Sequence, residues 1–357
     1  MIIDIVKVFV PATLAFIVGI ILTPLLTRYL YVNQLWKKKA GKVALGGGET
    51  PIFNQLHKER EVGTPKMGGV IIWVSSILVI VGLWLLSKLV PIESTLKLDF
   101  LSRNQTWLPL MTLIIGALVG LLDDYLDITE SKDHRAGGLS LKKRLLVVAI
   151  IGLLAGSWFY FKLDVASVSF FGNSTVPLGI LFIPFFALVT MALYSGGVID
   201  GIDGLAGGIF AIIYAAYAGI AFYQQQINLA AFCAVIVGSI LAFLWFNIPP
   251  ARFYMSETGS MALTITLAVV AFMTDILGEG RGIFVLPIIA LPLALTTLSV
   301  IVQMLSKKMR HGKKVFLVAP LHHHFEAIGW PAYKVTMRYW VIGIMFALLG
   351  LIVALIR

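Results

Sequence analysis

The sequence predicts an all-α, polytopic integral membrane protein of about ten transmembrane helices, a single domain over residues 1–357 with both termini extracytoplasmic. Three observations predict it. Apolar residues make up 59% of the chain and charged ones 13%, with a mean hydropathy of +0.93, more apolar surface than a soluble core can use. The apolar runs recur at about 20 residues, the length a helix needs to cross roughly 30 Å of hydrocarbon. Basic residues gather in alternate connections, the mark of a chain that crosses the bilayer repeatedly.

Cut on that length, the windows fall at 8–31, 68–90, 108–123, 145–161, 176–195, 204–223, 228–247, 259–277, 284–306 and 336–356. The first run is too long for a signal-peptide core and ends in no small-residue cleavage site, so it is expected to stay as a helix. Cys233, the single cysteine, lies in the seventh window, which excludes an intrachain disulfide and fits a small core residue.

The first connection holds Arg28, Lys37, Lys38, Lys39, Lys42, Lys58, Arg60 and Lys66, and the third holds Lys132, Arg135, Lys142, Lys143 and Arg144. The seventh adds Arg252, and the ninth Lys307, Lys308, Arg310, Lys313, Lys314, Lys334 and Arg338. Odd connections therefore face the cytoplasm, and much of the net charge of +10 lies there, where anionic headgroups and phosphorylated substrates are attracted. These loops carry no nucleic-acid-binding module, so nucleic acid is not an expected partner.

The odd connections also hold the unusual residues. Gly63-Thr64-Pro65-Lys66-Met67-Gly68-Gly69 opens the second helix. A proline is tolerated there, and Thr64 and Lys66 stand where free N–H groups favour an anion. Upstream, Gly46–Gly48 reads as a flexible stretch. Asp123 and Asp124 follow the apolar run Leu108–Leu122, with Asp127 and Glu130 beyond. A carboxylate near hydrocarbon costs roughly 2.5–3.5 kcal/mol, so the pair calls for a cation. Consecutive helical side chains diverge by about 100°, so one aspartate is suited to a metal and the other to substrate or a proton. Gly137-Gly138-Leu139-Ser140 then leads into Lys142, Lys143 and Arg144.

The fifth connection sets Asp200 and Asp203 among six glycines, more acid than a turn requires. The seventh runs from Asn247 through two prolines to Phe253, Tyr254 and Glu257. This puts the glutamate at a helix start and offers an aromatic face to a base. In the ninth, Ala319-Pro320-Leu321-His322-His323-His324-Phe325-Glu326 has poor spacing for one metal on a helix, and its imidazoles suit a phosphorylated ligand better.

Together, Thr-Pro-Lys-Met-Gly-Gly at 64–69, Asp-Asp at 123–124, Asp-Gly-Ile-Asp-Gly at 200–204, Asn-Ile-Pro-Pro-Ala from Asn247 and Ala-Pro-Leu-His-His-His-Phe-Glu at 319–326 resemble the MraY family. These are the phospho-N-acetylmuramoyl-pentapeptide transferases of the polyprenyl-phosphate N-acetylhexosamine-1-phosphate transferase superfamily. The resemblance implies transfer from UDP-MurNAc-pentapeptide to undecaprenyl phosphate, giving lipid I and UMP with Mg2+ as cofactor, in the bacterial inner membrane with the site facing the cytoplasm. The triple histidine separates this branch from relatives that use UDP-N-acetylglucosamine.

Carried over by residue, the resemblance implies catalytic roles for Asp123, Asp124, Asp200 and His322 and a metal site at Glu257 with Asp123 or Asp124. It further implies substrate contacts from Thr64, Lys66, Arg144, Asp203, Asn247, Tyr254, Gln303, His323 and His324. The chain departs from the family at Glu257, usually Asp, at Gly197, usually Asn, and at Lys66, usually Thr. The basic residue expected after the Gly-Leu-Ser turn is Arg144 or Lys143. Two rival readings are a sister transferase for N-acetylglucosamine-1-phosphate and a membrane transporter, and the oligomeric state, a homodimer included, is left open.

Overall fold

The computed structural model describes residues 2–38, 62–102, 105–129, 138–170 and 174–356. Lys39, Lys42, Lys58, Arg60, Glu130, Lys132, Arg135, Gly137 and the glycines 46–48 lie outside the described residues. In order the elements are α1 (Ile2–Val32), α2 (Val70–Leu89), α3 (Glu93–Leu98), α4 (Trp107–Thr129), α5 (Leu141–Lys162), β1 (Ser167–Ser169) and β2 (Thr175–Pro177). They continue with α6 (Phe182–Gly196), α7 (Leu205–Tyr223), α8 (Ile227–Asn247), α9 (Ser256–Met273), α10 (Gly282–Ile289), α11 (Leu291–Met309), α12 (Leu321–Ala327) and α13 (Ala332–Leu355). The strands form an antiparallel hairpin with Val168 opposite Val176.

Among the described residues nine helices are long and apolar enough to cross a bilayer, and α10 with α11 makes a tenth crossing if counted as one span. The fold is the expected all-α membrane bundle, with two corrections to the predicted windows. The span expected as one helix over 284–306 is bent by 69° between α10 and α11. Pro287 lies inside α10 and Pro292 at the start of α11, each withholding a backbone donor near the bend. The helix expected to end at 123 runs to Thr129, so the aspartates sit inside its last turns instead of after it. That turn stays helical because other segments supply partners for Asp123, Asp124 and Asp127.

At the centre stand α7, α8 and α9. In the most apolar stretch of α9, 89% of the residues are buried, against 22% in α1 and α13. A helix apolar on every side needs protein or lipid around it, and here protein surrounds the central helices while α1 and α13 offer Ile17, Leu25, Ile344 and Leu348 outward. The inner helix is the more polar one. Thr264 bonds within the helix, its Oγ1 donating to Ser260 O at 2.7 Å.

The α4–α9 contact fixes the functional end of the bundle. A Cβ on Gly120 would stand 2.2 Å from Glu257 O, and one on Gly69 would stand 2.3 Å from Gly259 N. Only glycine permits such approach between backbones. The acids near the end of α4 are thereby laid against the first turn of α9.

Candidate active site

The acidic pair divides its two side chains between two neighbours. Asp123 faces the start of α5, where Leu139 N donates to its Oδ1 at 2.7 Å and Arg144 Nε to the same oxygen at 2.9 Å. Arg144 Nη2 lies 2.9 Å from Asp123 Oδ2, and Nη1 donates to Glu257 Oε1 at 2.7 Å. One guanidinium thus joins Asp123 to Glu257, which is itself 113 positions from Arg144, with charge-assisted bonds. Lys142 and Lys143 are exposed, so of the two basic residues left open by the sequence it is Arg144 that meets the acids. Tyr194, at the end of α6, completes the group. It shares a hydrogen bond with Arg144, and its hydroxyl reaches Glu257 Oε2 at 3.5 Å, where Ser260 Oγ is 3.4 Å away.

Asp124, diverging along the helix, faces α9 and the second-helix start. Thr258 donates to its Oδ2 twice, from N at 2.9 Å and from Oγ1 at 2.7 Å. Oδ1 is buried and has no hydrogen-bond partner, with Lys66 Nζ at 3.6 Å. That ammonium bonds directly to Asp127 Oδ2, and Lys37 Nζ lies 3.9 Å from the same oxygen. The backbone around Lys66 is laced to the seventh connection. Tyr254 N donates to Pro65 O at 2.9 Å, Gly68 N to Tyr254 O at 2.8 Å, and Lys66 N to Leu35 O at 2.9 Å. Met67 and Ser256 take the left-handed conformation with φ of 66° and 57°, a cost for non-glycine residues that tends to gather at functional sites. Burial alone would lower the Lys66 ammonium, but Asp124 and Asp127 outweigh it and hold its pKa above lysine's ordinary value.

A third group adjoins through Ser256, whose N donates to Asp200 Oδ2 at 2.8 Å, one residue before Glu257. Gly201 lies against the histidines, since a Cβ there would stand 2.4 Å from His322 Nε2 and 2.8 Å from His323 Nε2. His322 and His323 are buried with ring centroids 4.2 Å apart, and His323 Nδ1 is 2.7 Å from Glu326 Oε2. His324 turns away to accept from Leu317 N at 3.3 Å, its ring edge-on to Phe316. Asp203 Oδ2 accepts from Ala251 N at 3.2 Å.

Two residues expected to touch nucleotide have their amides engaged internally. Asn247 Oδ1 accepts from Gly204 N at 2.9 Å while Nδ2 donates to Phe253 O at 2.8 Å, joining the fifth and seventh connections. Gln303 Nε2 donates to Phe316 O at 2.8 Å and its Oε1 accepts from Val315 N and Phe316 N, fastening the approach to the histidines. Thr64 and Tyr254 are half-buried at the edge of this end.

Tyr194 and Thr258 escaped the sequence reading. Tyr194 lies one residue before the glycine-rich turn that drew notice, and Thr258 sits beside Glu257. Asp127 reads in the sequence as one further acid, yet its three- and four-residue spacing from the pair puts all three on adjoining faces.

Among the described residues no three His, Cys, Asp or Glu side chains are grouped as a closed metal cage. Mg2+ does not require one, being held by one or two carboxylates together with substrate phosphates and water. The bare Oδ1 of Asp124 and the Oε2 of Glu257, which has only long contacts to Tyr194 and Ser260, are hard oxygens of that kind, so the donor set fits; both oxygens of Asp123 and the Oε1 of Glu257 are engaged by Arg144.

A polytopic helix bundle with acids, cations and imidazoles gathered at one end is the build of a membrane-embedded phosphoglycosyl transferase, and residues 106–275 match the family model described as glycosyl transferase family 4. Curated relatives narrow the class. A phospho-N-acetylmuramoyl-pentapeptide-transferase of Rickettsia bellii (strain OSU 85-389) is 34% identical over 96% of this chain and 90% of its own length. Enzymes of the same name from Rickettsia massiliae (strain Mtu5) and Listeria innocua serovar 6a are each 32% identical over 96% of this chain, covering 90% and 96% of their own lengths. The chain belongs to the phospho-N-acetylmuramoyl-pentapeptide-transferase family.

Proposed function

We propose that the protein transfers phospho-N-acetylmuramoyl-pentapeptide from UDP-MurNAc-pentapeptide to undecaprenyl phosphate, giving lipid I and UMP, at the cytoplasmic face of the bacterial inner membrane. Family membership supports the reaction, and the observation that carries the site is the convergence of Asp123, Asp124 and Glu257 through Arg144 and Thr258 at one bundle end. A transporter would set its carboxylates near the midplane. These sit at helix ends, where a soluble nucleotide and a lipid phosphate can meet.

In this reading an oxygen of undecaprenyl phosphate attacks the sugar-linked phosphorus in line, the bond to UMP breaks, and UMP leaves with its electron pair. Arg144 and Lys66 offset the charge of the meeting phosphates. Asp123 assists removal of any proton on the attacking phosphate, while Glu257 and Asp124 would hold the metal. Mg2+, when bound, neutralises charge building on the diphosphate oxygens. Trapping phosphorylated protein with the UDP-substrate alone would overturn direct attack in favour of an aspartyl-phosphate.

The test is UMP release by purified protein with undecaprenyl phosphate and Mg2+, comparing UDP-MurNAc-pentapeptide with UDP-GlcNAc. Preference for the first is expected; preference for the second would reassign the enzyme to the N-acetylglucosamine-1-phosphate branch.

A further inference from the structure

Lys66 forms an ion pair with a buried carboxylate oxygen without hydrogen-bonding to it. Asp124 is fully enclosed, and its Oδ1 has no hydrogen-bond partner, a state that costs about 1–3 kcal/mol or more when left uncompensated. The Lys66 ammonium at 3.6 Å is less than an ångström beyond the usual length of a charge-assisted bond, about 2.8 Å. What keeps it there is Asp127, one turn farther along α4, whose Oδ2 takes the ammonium as its direct partner. The Asp127 side chain is 6% exposed and that of Lys66 19%, so this is no solvated surface pair. Lys66 cannot shift as a whole, because its own N and the neighbouring Pro65 O are bonded to Leu35 and Tyr254.

We infer that Asp127 is a positioning residue: by holding Lys66 it keeps the Oδ1 of Asp124 open for a divalent cation and leaves the ammonium beside that position to meet substrate phosphate. This rests on the metal reading proposed above. Without Asp127, a small rotation of the Lys66 side chain shortens its 3.6 Å ion pair with Asp124 to a direct hydrogen bond, and a cation must then displace a bonded ammonium to bind.

The test uses full-length purified protein without substrates, measuring Mn2+ binding from the electron paramagnetic resonance of the free ion and the Tm in EDTA. Asp127→Asn is expected to weaken Mn2+ binding about tenfold or more, and adding Lys66→Met in that background to bring it back within about threefold of wild type. A purely structural ion pair would lower the Tm in EDTA and leave Mn2+ affinity unchanged in Asp127→Asn, which overturns the inference alone. A wild type that binds no Mn2+ overturns the metal reading and this inference together. Should Asp127→Asn fail to fold, Lys66→Met by itself decides: binding as tight as wild type or tighter is expected, and weaker binding contradicts the role assigned to Asp127.

Discussion

Asp124, on α4 against the start of α9, and Asp275, just past the end of α9, are buried carboxylates whose surroundings differ in kind. Asp275, just past the end of α9, receives Ser169 N on Oδ2 at 2.7 Å and Ile283 N on Oδ1 at 3.2 Å, so both oxygens are engaged by backbone donors. It fastens the β1–β2 hairpin to the turn before α10. Asp124, against the first turn of α9, has one oxygen doubly bonded by Thr258 and the other bare beside a lysine. The contrast shows that burial of an acid does not by itself indicate chemistry. Incomplete coordination, with Arg144 and Lys66 among four acids, does.

The sharpest way to break the comparison is to neutralise each acid with its isosteric amide. Asp124→Asn and Glu257→Gln are each expected to lower the rate of UMP release by about 10³-fold or more with the fold retained, as when an electrostatic group at a reacting phosphate is lost. Asp275→Asn is expected to stay within about twofold of wild type in the same assay.

Next in size is the seam that carries the acids. Gly120→Ala places a methyl 2.2 Å from Glu257 O, forcing α4 and α9 apart. A displacement of about an ångström at a reacting centre can cost about 10²-fold in rate, and overpacking costs about 1–3 kcal/mol. Both should appear, in UMP release and in Tm. Arg144→Lys keeps the charge but loses the fork that spans Asp123 and Glu257, so a fall in kcat of about tenfold is expected.

The smallest effect falls at the opposite end. Burial, opposed by the N–H donors of Ser169, Ile283 and Ile276, pushes the Asp275 carboxyl up to about 6 from an ordinary value of 3.8. Between those values Asp275 binds more protons in the folded protein than in the unfolded chain, so its contribution to stability falls as pH rises from about 4 to about 6 and is level above. The span is worth about 3 kcal/mol at most. Thermal unfolding in detergent across that range should show a steeper decline in wild type than in Asp275→Asn, while equal slopes would contradict the assignment.

Much of this was legible in the sequence because membrane insertion penalises charge so heavily that acids and histidines beside apolar runs stand out. Asp123, Asp124, Asp200, Glu257 and His322 stand out that way, and the structure places them near one another, as the alternation of basic connections anticipates. What could not be read is who bonds to whom. Arg144 and Lys143 are neighbours in sequence, and only the angle at which α5 starts sends Arg144 to Asp123 and leaves Lys143 exposed. Asn247 and Gln303 read as nucleotide contacts, and only the fold shows that their amides also join the fifth and seventh connections and hold the segment before the histidines. The bend between α10 and α11 had its prolines in view, but an apolar run of the right length masks a break.

The central claim is that Asp124 and Glu257 belong to one catalytic unit, and UMP release by the double variant Asp124→Asn/Glu257→Gln tests it most directly. Groups that act as a unit are strongly non-additive. The double variant is expected to be no more than about threefold slower than the slower single variant. Losses that multiply, or a single variant that retains the wild-type rate, would show that the two carboxylates do not serve one centre.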